Sequence, residues 1–240
     1  MTDRKIAVAQ LGARMHYAVP RILHENGLLQ TLYTDFYSRK YPFALLQKAP
    51  FFSTVKRLNT RHHPGLPAGR VCHFPPFGLR YSLGRSRCLT SEDRIRRHLE
   101  GGLEFSRLVL KQIRKNLPDV VYTFNSAALE IMEFAKANGI FIVHEQTICL
   151  HYIEKQLLKI EKEKFPEWAI NQEFTLNSNR YADRERNEFL LADRVVCGSE
   201  FVKGGLIAQS VGEEKVQVIP YGVAQGPLGS HPVQKKAEGN

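Results

Sequence analysis

The 240-residue chain has little cysteine: Cys72, Cys88, Cys149 and Cys197, with no C-x-x-C spacing among them. Structural zinc draws its ligands from short spacings, so a zinc ribbon or finger is excluded and no metal site is expected. Unbridged thiols in a reducing compartment are the simplest reading. Long apolar runs are missing too, and none approaches the roughly 18–20 residues of a spanning helix. The run Ile6–Leu11 is broken by Gln10 and is too short for a signal-peptide core. The expected location is the cytoplasm. Four catalytic or nucleotide motifs are absent as well. Without G-x-G-x-x-G or a P-loop, the usual dinucleotide and nucleoside-triphosphate cradles are disfavoured. Without H-E-x-x-H or G-x-S-x-G, neither a zinc protease nor a serine hydrolase elbow is implied.

Acidic residues are the other shortage, 24 against 34 Lys and Arg. Between Lys56 and Arg97 ten basic residues face only Glu92 and Asp93, a net +8 within the overall +10. Such a stretch suits an anionic partner: phosphate, lipid headgroup or nucleic acid. A solvated basic face without a dedicated partner is the alternative. Nucleic acid is the weakest of these partners, because the charges are dispersed through a Pro-containing region with no known reader motif. What is plentiful is apolar residue, at 43%, enough to build a core and to argue against disorder.

Periodicity gives the fold class. Lys5–Leu11 reads as a buried strand, His16–Asn26 as a helix stopped by Gly27, and Leu28–Phe36 as a second strand, together a βαβ unit. From Tyr37 to Thr90 the chain reads as irregular, with a weak strand at Val71–Phe74. Thr90 caps a long helix whose buried stripe is read as Ile95, Leu99, Leu103, Leu110, Ile113 and Leu117, ending at Pro118. Strands at Asp119–Phe124, Ile140–His144, Asp193–Cys197 and Val216–Ile219 then alternate with helices at 126–138, 150–164, 181–192 and 199–210. The expected fold is α/β, a doubly wound, mainly parallel Rossmann-like sheet over residues 1–223. Residues 224–240 are polar and turn-forming, as a linker toward a further domain would be.

In such a sheet ligands lie beyond the carboxyl ends of the strands, which selects the candidate residues. Gly12 follows the first strand, either to let the backbone approach an anion or only to make the turn. Asn125 and Ser126 follow the next, where one of them could cap a helix. His144, Glu145 and Gln146 follow a buried apolar run and need polar partners. His144 could orient a hydroxyl, move a proton or be structural; Glu145 could bind hydroxyls or act as a base. Ser199 is a natural N-cap, with Glu200 in the first turn.

Two segments, Ala192–Val202 (ADRVVCGSEFV) and Val211–Val223 (VGEEKVQVIPYGV), carry a resemblance. They resemble the end of the N-terminal domain of GT-B glycosyltransferases of the family 4 type. Gly12–Pro20 (GARMHYAVP), Tyr33–Phe36, Phe124–Glu130 and Glu145–Thr147 are similar to segments in a subset of these enzymes. The likeness spans the chain apart from its basic middle. It implies one half of a GT-B fold, with no resident cofactor, and retaining transfer of a sugar from a nucleotide-sugar donor to a glycan or lipid-linked acceptor held by this half. Gly12 then matches the glycine loop near the donor diphosphate, Ser199 the serine of the cleft wall, and His144 the catalytic strand-end histidine. Arg14, His16, Asn125, Glu145 and Gln146 are expected to hold the acceptor. The glycine loop has one glycine where many members have two, and the donor domain with its two glutamates seven residues apart is absent. The chain alone is therefore expected to be inactive. Residues 51–97, with Phe51, Phe52, Phe74 and Phe77 among arginines, would suit an anionic membrane surface, such as the inner face. A stand-alone nucleotide or sugar-phosphate binding module without catalysis is the competing reading.

Overall fold

The computed structural model describes residues 4–40, 60–168 and 176–222. Its strands are β1 (Ile6–Gln10), β2 (Leu29–Thr34), β3 (Val71–His73), β4 (Val120–Phe124), β5 (Phe141–Gln146), β6 (Arg194–Cys197) and β7 (Val216–Val218). They form one sheet in the order β3-β2-β1-β4-β5-β6-β7, with every neighbouring pair parallel. The helices are α1 (Ala18–Glu25), α2 (Pro75–Ser86), α3 (Ser91–Ile113), α4 (Leu129–Ala137), α5 (His151–Lys164), α6 (Leu176–Leu191) and α7 (Glu200–Ala208). This is the doubly wound α/β sheet that the alternation of elements predicts. Strand order reverses between β1 and β4, which opens a crevice at their carboxyl ends.

Both faces of the sheet are covered, so its strands are apolar in consecutive positions rather than alternately. Ala7 and Ala9 join one core cluster with Val121, Ile142 and Val195, whereas Val8 points to the other with Leu32, Tyr37 and Phe124. Among the described residues no helix is long and apolar enough to cross a membrane. All four cysteines are free thiols.

Three expectations are corrected. The middle segment is not irregular throughout, because α2 occupies Pro75–Ser86. Prolines in its first turn lose no intrahelical bond there, and Phe77 and Tyr81, four residues apart, supply its buried side. The stripe of α3 is only partly the expected one: Ile113 is buried and Leu110 packs against the core, but the rest of the buried face differs. Gly101, Gly102, Phe105, Ser106, Val109 and Ile113 are buried, Leu117 is 52% exposed, and the helix ends at Ile113. Two glycines select that face: a Cβ on Gly101 would lie 2.2 Å from the Tyr81 ring, and one on Gly102 2.3 Å from the Ser126 carbonyl oxygen. Helix α4 begins at Leu129 rather than at Ser126. Ser126 sits at φ +75°, in the left-handed region, and cannot start a right-handed helix.

Thr90 does cap α3, its hydroxyl oxygen accepting from the Asp93 N–H at 3.0 Å. The basic stretch is also arranged differently from the expectation. Phe77 is buried and stacks on Tyr81, and Phe74 packs edge-on against Phe105, so neither is free to enter a membrane interface. Phe51, Phe52 and residues 224–240 lie outside the described residues.

Candidate functional site

The carboxyl ends of β1, β4 and β5 bring together residues far apart in sequence. Beyond β1 the chain turns at Gly12, whose φ of +92° is one that L side chains rarely adopt. Met15, His16 and Tyr17 follow at φ +47°, +48° and +62°. Non-glycine residues in this region cost free energy and persist only where their surroundings enforce them. Here Gln10 fastens the loop by donating from Nε2 to the carbonyls of Gly12 and Arg14, both at 3.1 Å. Tyr17, fully buried, donates to the Phe36 carbonyl at 3.2 Å.

This loop aims Arg14 across the crevice. Its guanidinium donates to Asn125 Oδ1 at 3.0 Å, to Thr147 Oγ1 at 2.7 Å and to the Asn125 carbonyl at 3.3 Å, and it lies 5.6 Å over the Phe124 ring. The Thr147 hydroxyl in turn donates to Asn125 Oδ1 at 2.8 Å. Burial lowers the Arg14 pKa from its usual value, and nearby Glu145 opposes that. Glu145 is itself buried, which raises its pKa, against the pull of two hydroxyl donors and Arg14. Those donors are Tyr122, at 2.5 Å from Oε2, and Tyr221, at 3.3 Å from Oε1. Tyr221 also reaches the Thr147 carbonyl at 3.3 Å, so the segment after β7 is tied to the same edge. The cluster offers a cation, an amide, hydroxyls and a carboxylate side by side, the groups that recognise polyols and phosphates.

The other candidates are placed as follows. His144 is fully buried one layer below, where Thr123 Oγ1 and His144 Nδ1 are 3.1 Å apart. Burial, aided by the Arg14 charge, pushes its pKa down to about 3, so the ring is neutral in the physiological range; Gln146 weakly favours the protonated form. Neither His144 Nε2 nor Gln146 Oε1 has a partner within hydrogen-bonding distance among the described residues. His16 is exposed. The Gly12 N–H is engaged by Asp35 Oδ1 at 3.1 Å, and Asp35 is held by Arg61 through contacts of 2.5 and 3.0 Å. Ser199 caps α7, its hydroxyl oxygen accepting from the Val202 N–H at 3.4 Å. Among the described residues no group of three His, Cys, Asp or Glu side chains could hold a metal ion.

Helix α6 supplies partners that the sequence reading passed over. Glu188, fully buried, accepts from the backbone N–H groups of Ser126, Ala128 and Leu129 at 2.6, 3.0 and 3.1 Å, filling the N-terminus of α4. Burial pushes its pKa up to about 7; Arg184, 3.4 Å away, and the three donors pull it back. One turn earlier, Glu185 accepts from the His151 N–H and from Gln146 Nε2, each at 2.8 Å, at the start of α5. Ser178, Glu185, Glu188 and Phe189 are all buried, spaced as one helix face. That spacing was the available signal. Tyr221 could have been found by noting that whatever follows β7 must emerge at the same edge as Gly12 and Asn125.

No family model matches the sequence, and no curated protein does. Among solved structures the chain is similar to a glycotransferase of kitacinnamycin, at 12% identity and a TM-score of 0.49, covering 94% of this chain and 55% of that one. It is similar to a Polygonum tinctorium UDP-glucosyltransferase that glucosylates indoxyl, at 13% identity and a TM-score of 0.47, covering 93% and 54%. A Neisseria meningitidis UDP-GlcNAc 2-epimerase bound to UDP-GlcNAc gives 12% and 0.46, covering 89% and 45%. The chain spans about half the length of each of these structures.

Proposed function

We propose that this chain is the acceptor-binding half of a retaining glycosyltransferase that moves a sugar from a nucleotide-sugar donor to a glycan or lipid-linked acceptor. One observation carries the reading. Segments singled out by their resemblance to family 4 glycosyltransferases, containing Arg14, Asn125, Glu145, Thr147 and Tyr221, converge on one polar cluster at the strand-order reversal. The donor and the retaining course come from that resemblance alone. In this reading Arg14, Asn125, Glu145 and Gln146 line the acceptor side, with His16 at its rim. Gly12 and Ser199 face the donor diphosphate across the cleft. His144 is the catalytic strand-end group, reached once a substrate displaces the layer above it. The membrane surface is met by Leu79, Leu83 and Leu89, which are exposed among Arg80, Arg85 and Arg87, rather than by buried Phe77.

The test is direct binding. Titration with a panel of neutral and anionic oligosaccharides, followed by ligand-observed NMR, is expected to show acceptor binding without any nucleotide. Replacing Arg14 with Ala should weaken it at least about tenfold, since a charged hydrogen-bond donor is lost. Binding of UDP- or GDP-sugars with no oligosaccharide bound would instead support the nucleotide or sugar-phosphate module.

A further inference from the structure

A cavity of about 310 Å³ lies beside the cluster, walled by α3, α5, α6 and the Ile148–Cys149 turn, with Arg85 of α2 at one side. Its size is at the lower end of small-molecule sites. The lining divides by chemistry. Ile95, Ile148 and Leu158 form an apolar wall, and the rings of His98, His151 and Tyr181 pack together as a floor, with centroids 5.1 and 6.0 Å apart. Both histidines are spoken for. His98 Nδ1 is 2.8 Å from the Tyr81 hydroxyl and its Nε2 2.9 Å from Ser126 Oγ. His151 Nδ1 is 3.0 Å from Glu154 and its Nε2 2.8 Å from Ser178 Oγ.

Arg85 and Arg94 are different. On the same two helices Arg80 pairs with Glu104, Arg96 with Asp93 and Arg97 with Glu100. Arg85 rests 5.8 Å over the Tyr81 ring, and among the described residues Arg94 has no side-chain hydrogen bond and neither arginine has a carboxylate in ion-pair range. Glu154, the acid in the lining, is engaged by His151. Among the described residues, the lining thus has two guanidinium groups outside any ion pair, beside flat rings and aliphatic side chains.

We infer that this cavity binds a phosphate monoester carrying a compact apolar body, the phosphate between Arg85 and Arg94 and the body against Ile95, Ile148 and the ring floor. Two guanidinium groups match a dianion, and each can bond two of its oxygens at once. The site does not depend on sugar transfer, so it can stand if the glycosyltransferase reading falls, and fall while that reading stands. The ester could be a soluble metabolite or the head of a lipid; the chemistry that the cavity reads is the same.

Calorimetry with phenyl phosphate is the test, with inorganic phosphate and phenol as controls. Phenyl phosphate should bind more tightly than either control and weaken as salt is raised. Both arginines are exposed, so Arg85→Gln and Arg94→Gln will fold; each should weaken binding about tenfold, the double variant more. Arg96→Gln, paired with Asp93 and outside the lining, should leave it unchanged. Competition by phosphatidate vesicles but not by phosphatidylserine vesicles, whose phosphate is a diester, would assign the lipid source, and failure of both beside tight phenyl phosphate binding the soluble one. Phenyl phosphate binding no tighter than inorganic phosphate, or a double variant that binds like the parent, overturns the inference.

Discussion

Glu188 lets the energetics of the crevice be tested without a substrate. Its carboxylate is the acceptor for three N–H groups where α4 begins. Removing it as Glu188→Ala would leave those buried donors unmet, at roughly 1–3 kcal/mol each. That sum approaches the ~5–15 kcal/mol stability of a whole domain, so the informative variant is Glu188→Gln. Ser126 donates to one oxygen, and Ala128 and Leu129 to the other, so an amide can satisfy only one side and turns its NH2 toward the rest. A loss on the order of 2 kcal/mol is expected where the parent side chain is neutral.

The pH dependence follows from the sign of the shift. The Glu188 carboxyl rises on folding from an ordinary 4.5 to about 7, so in that interval the folded state binds more protons than the unfolded. Stability from this group is fully present below about 4.5 and is lost as pH rises through about 7, an effect on the order of 3 kcal/mol. The Gln variant cannot titrate there. In urea unfolding followed by far-ultraviolet circular dichroism, the advantage of the parent over Glu188→Gln should shrink steadily between about pH 5 and pH 7.5 and give way to a small advantage of the variant. An advantage that stayed constant or widened would refute the reasoning, since the three donors and Arg184 would then outweigh burial.

Three further outcomes are expected. Gly102→Ala drives a Cβ to within 2.3 Å of the Ser126 carbonyl oxygen and should destabilise by about 1–3 kcal/mol despite better helix propensity. Gly204→Ala, in α7 with nothing within 4 Å, should stabilise by about 0.5–1 kcal/mol; thermal melts showing the two variants alike would contradict this. Liposomes rich in anionic lipid should retain the protein at low salt, and less of it after Leu83→Asp and Leu89→Asp, residues 58% and 91% exposed. Equal flotation of parent and variant, or none for the parent, ends the membrane reading.

The strands were legible because a parallel sheet covered on both faces needs runs such as IAVA or VVYTF, each closed by a turn residue. Their order along the chain then places Gly12, Asn125, Glu145 and Ser199 near one edge. Helix α2 was hidden, since two prolines and two glycines among twelve residues mask any amphipathic pattern. The stripe of α3 departs from the expected one for another reason. Leucines mark one possible face, but Gly101 and Gly102 permit the closer approach on the other, and only the neighbouring Tyr81 ring and Ser126 carbonyl reveal it. Glu188, His98 and Tyr221 belong to the neighbourhood through helix rotation and chain path. The spacing of Ser178, Glu185, Glu188 and Phe189 marks a buried face of α6 but not which helix start Glu188 fills.

The carboxylates of this edge have a consequence for discrimination. Backbone amides at helix starts accept almost any anion, and they change little when side chains are replaced. Here Glu188 and Glu185 occupy the starts of α4 and α5, and Asp35 takes the Gly12 N–H. With these receptors filled from within, any ligand that binds at this edge would have to be chosen by side chains such as Arg14, each replaceable by a single codon change. A lineage could therefore retune what the edge recognises while its backbone, and the acids that brace it, stay as they are.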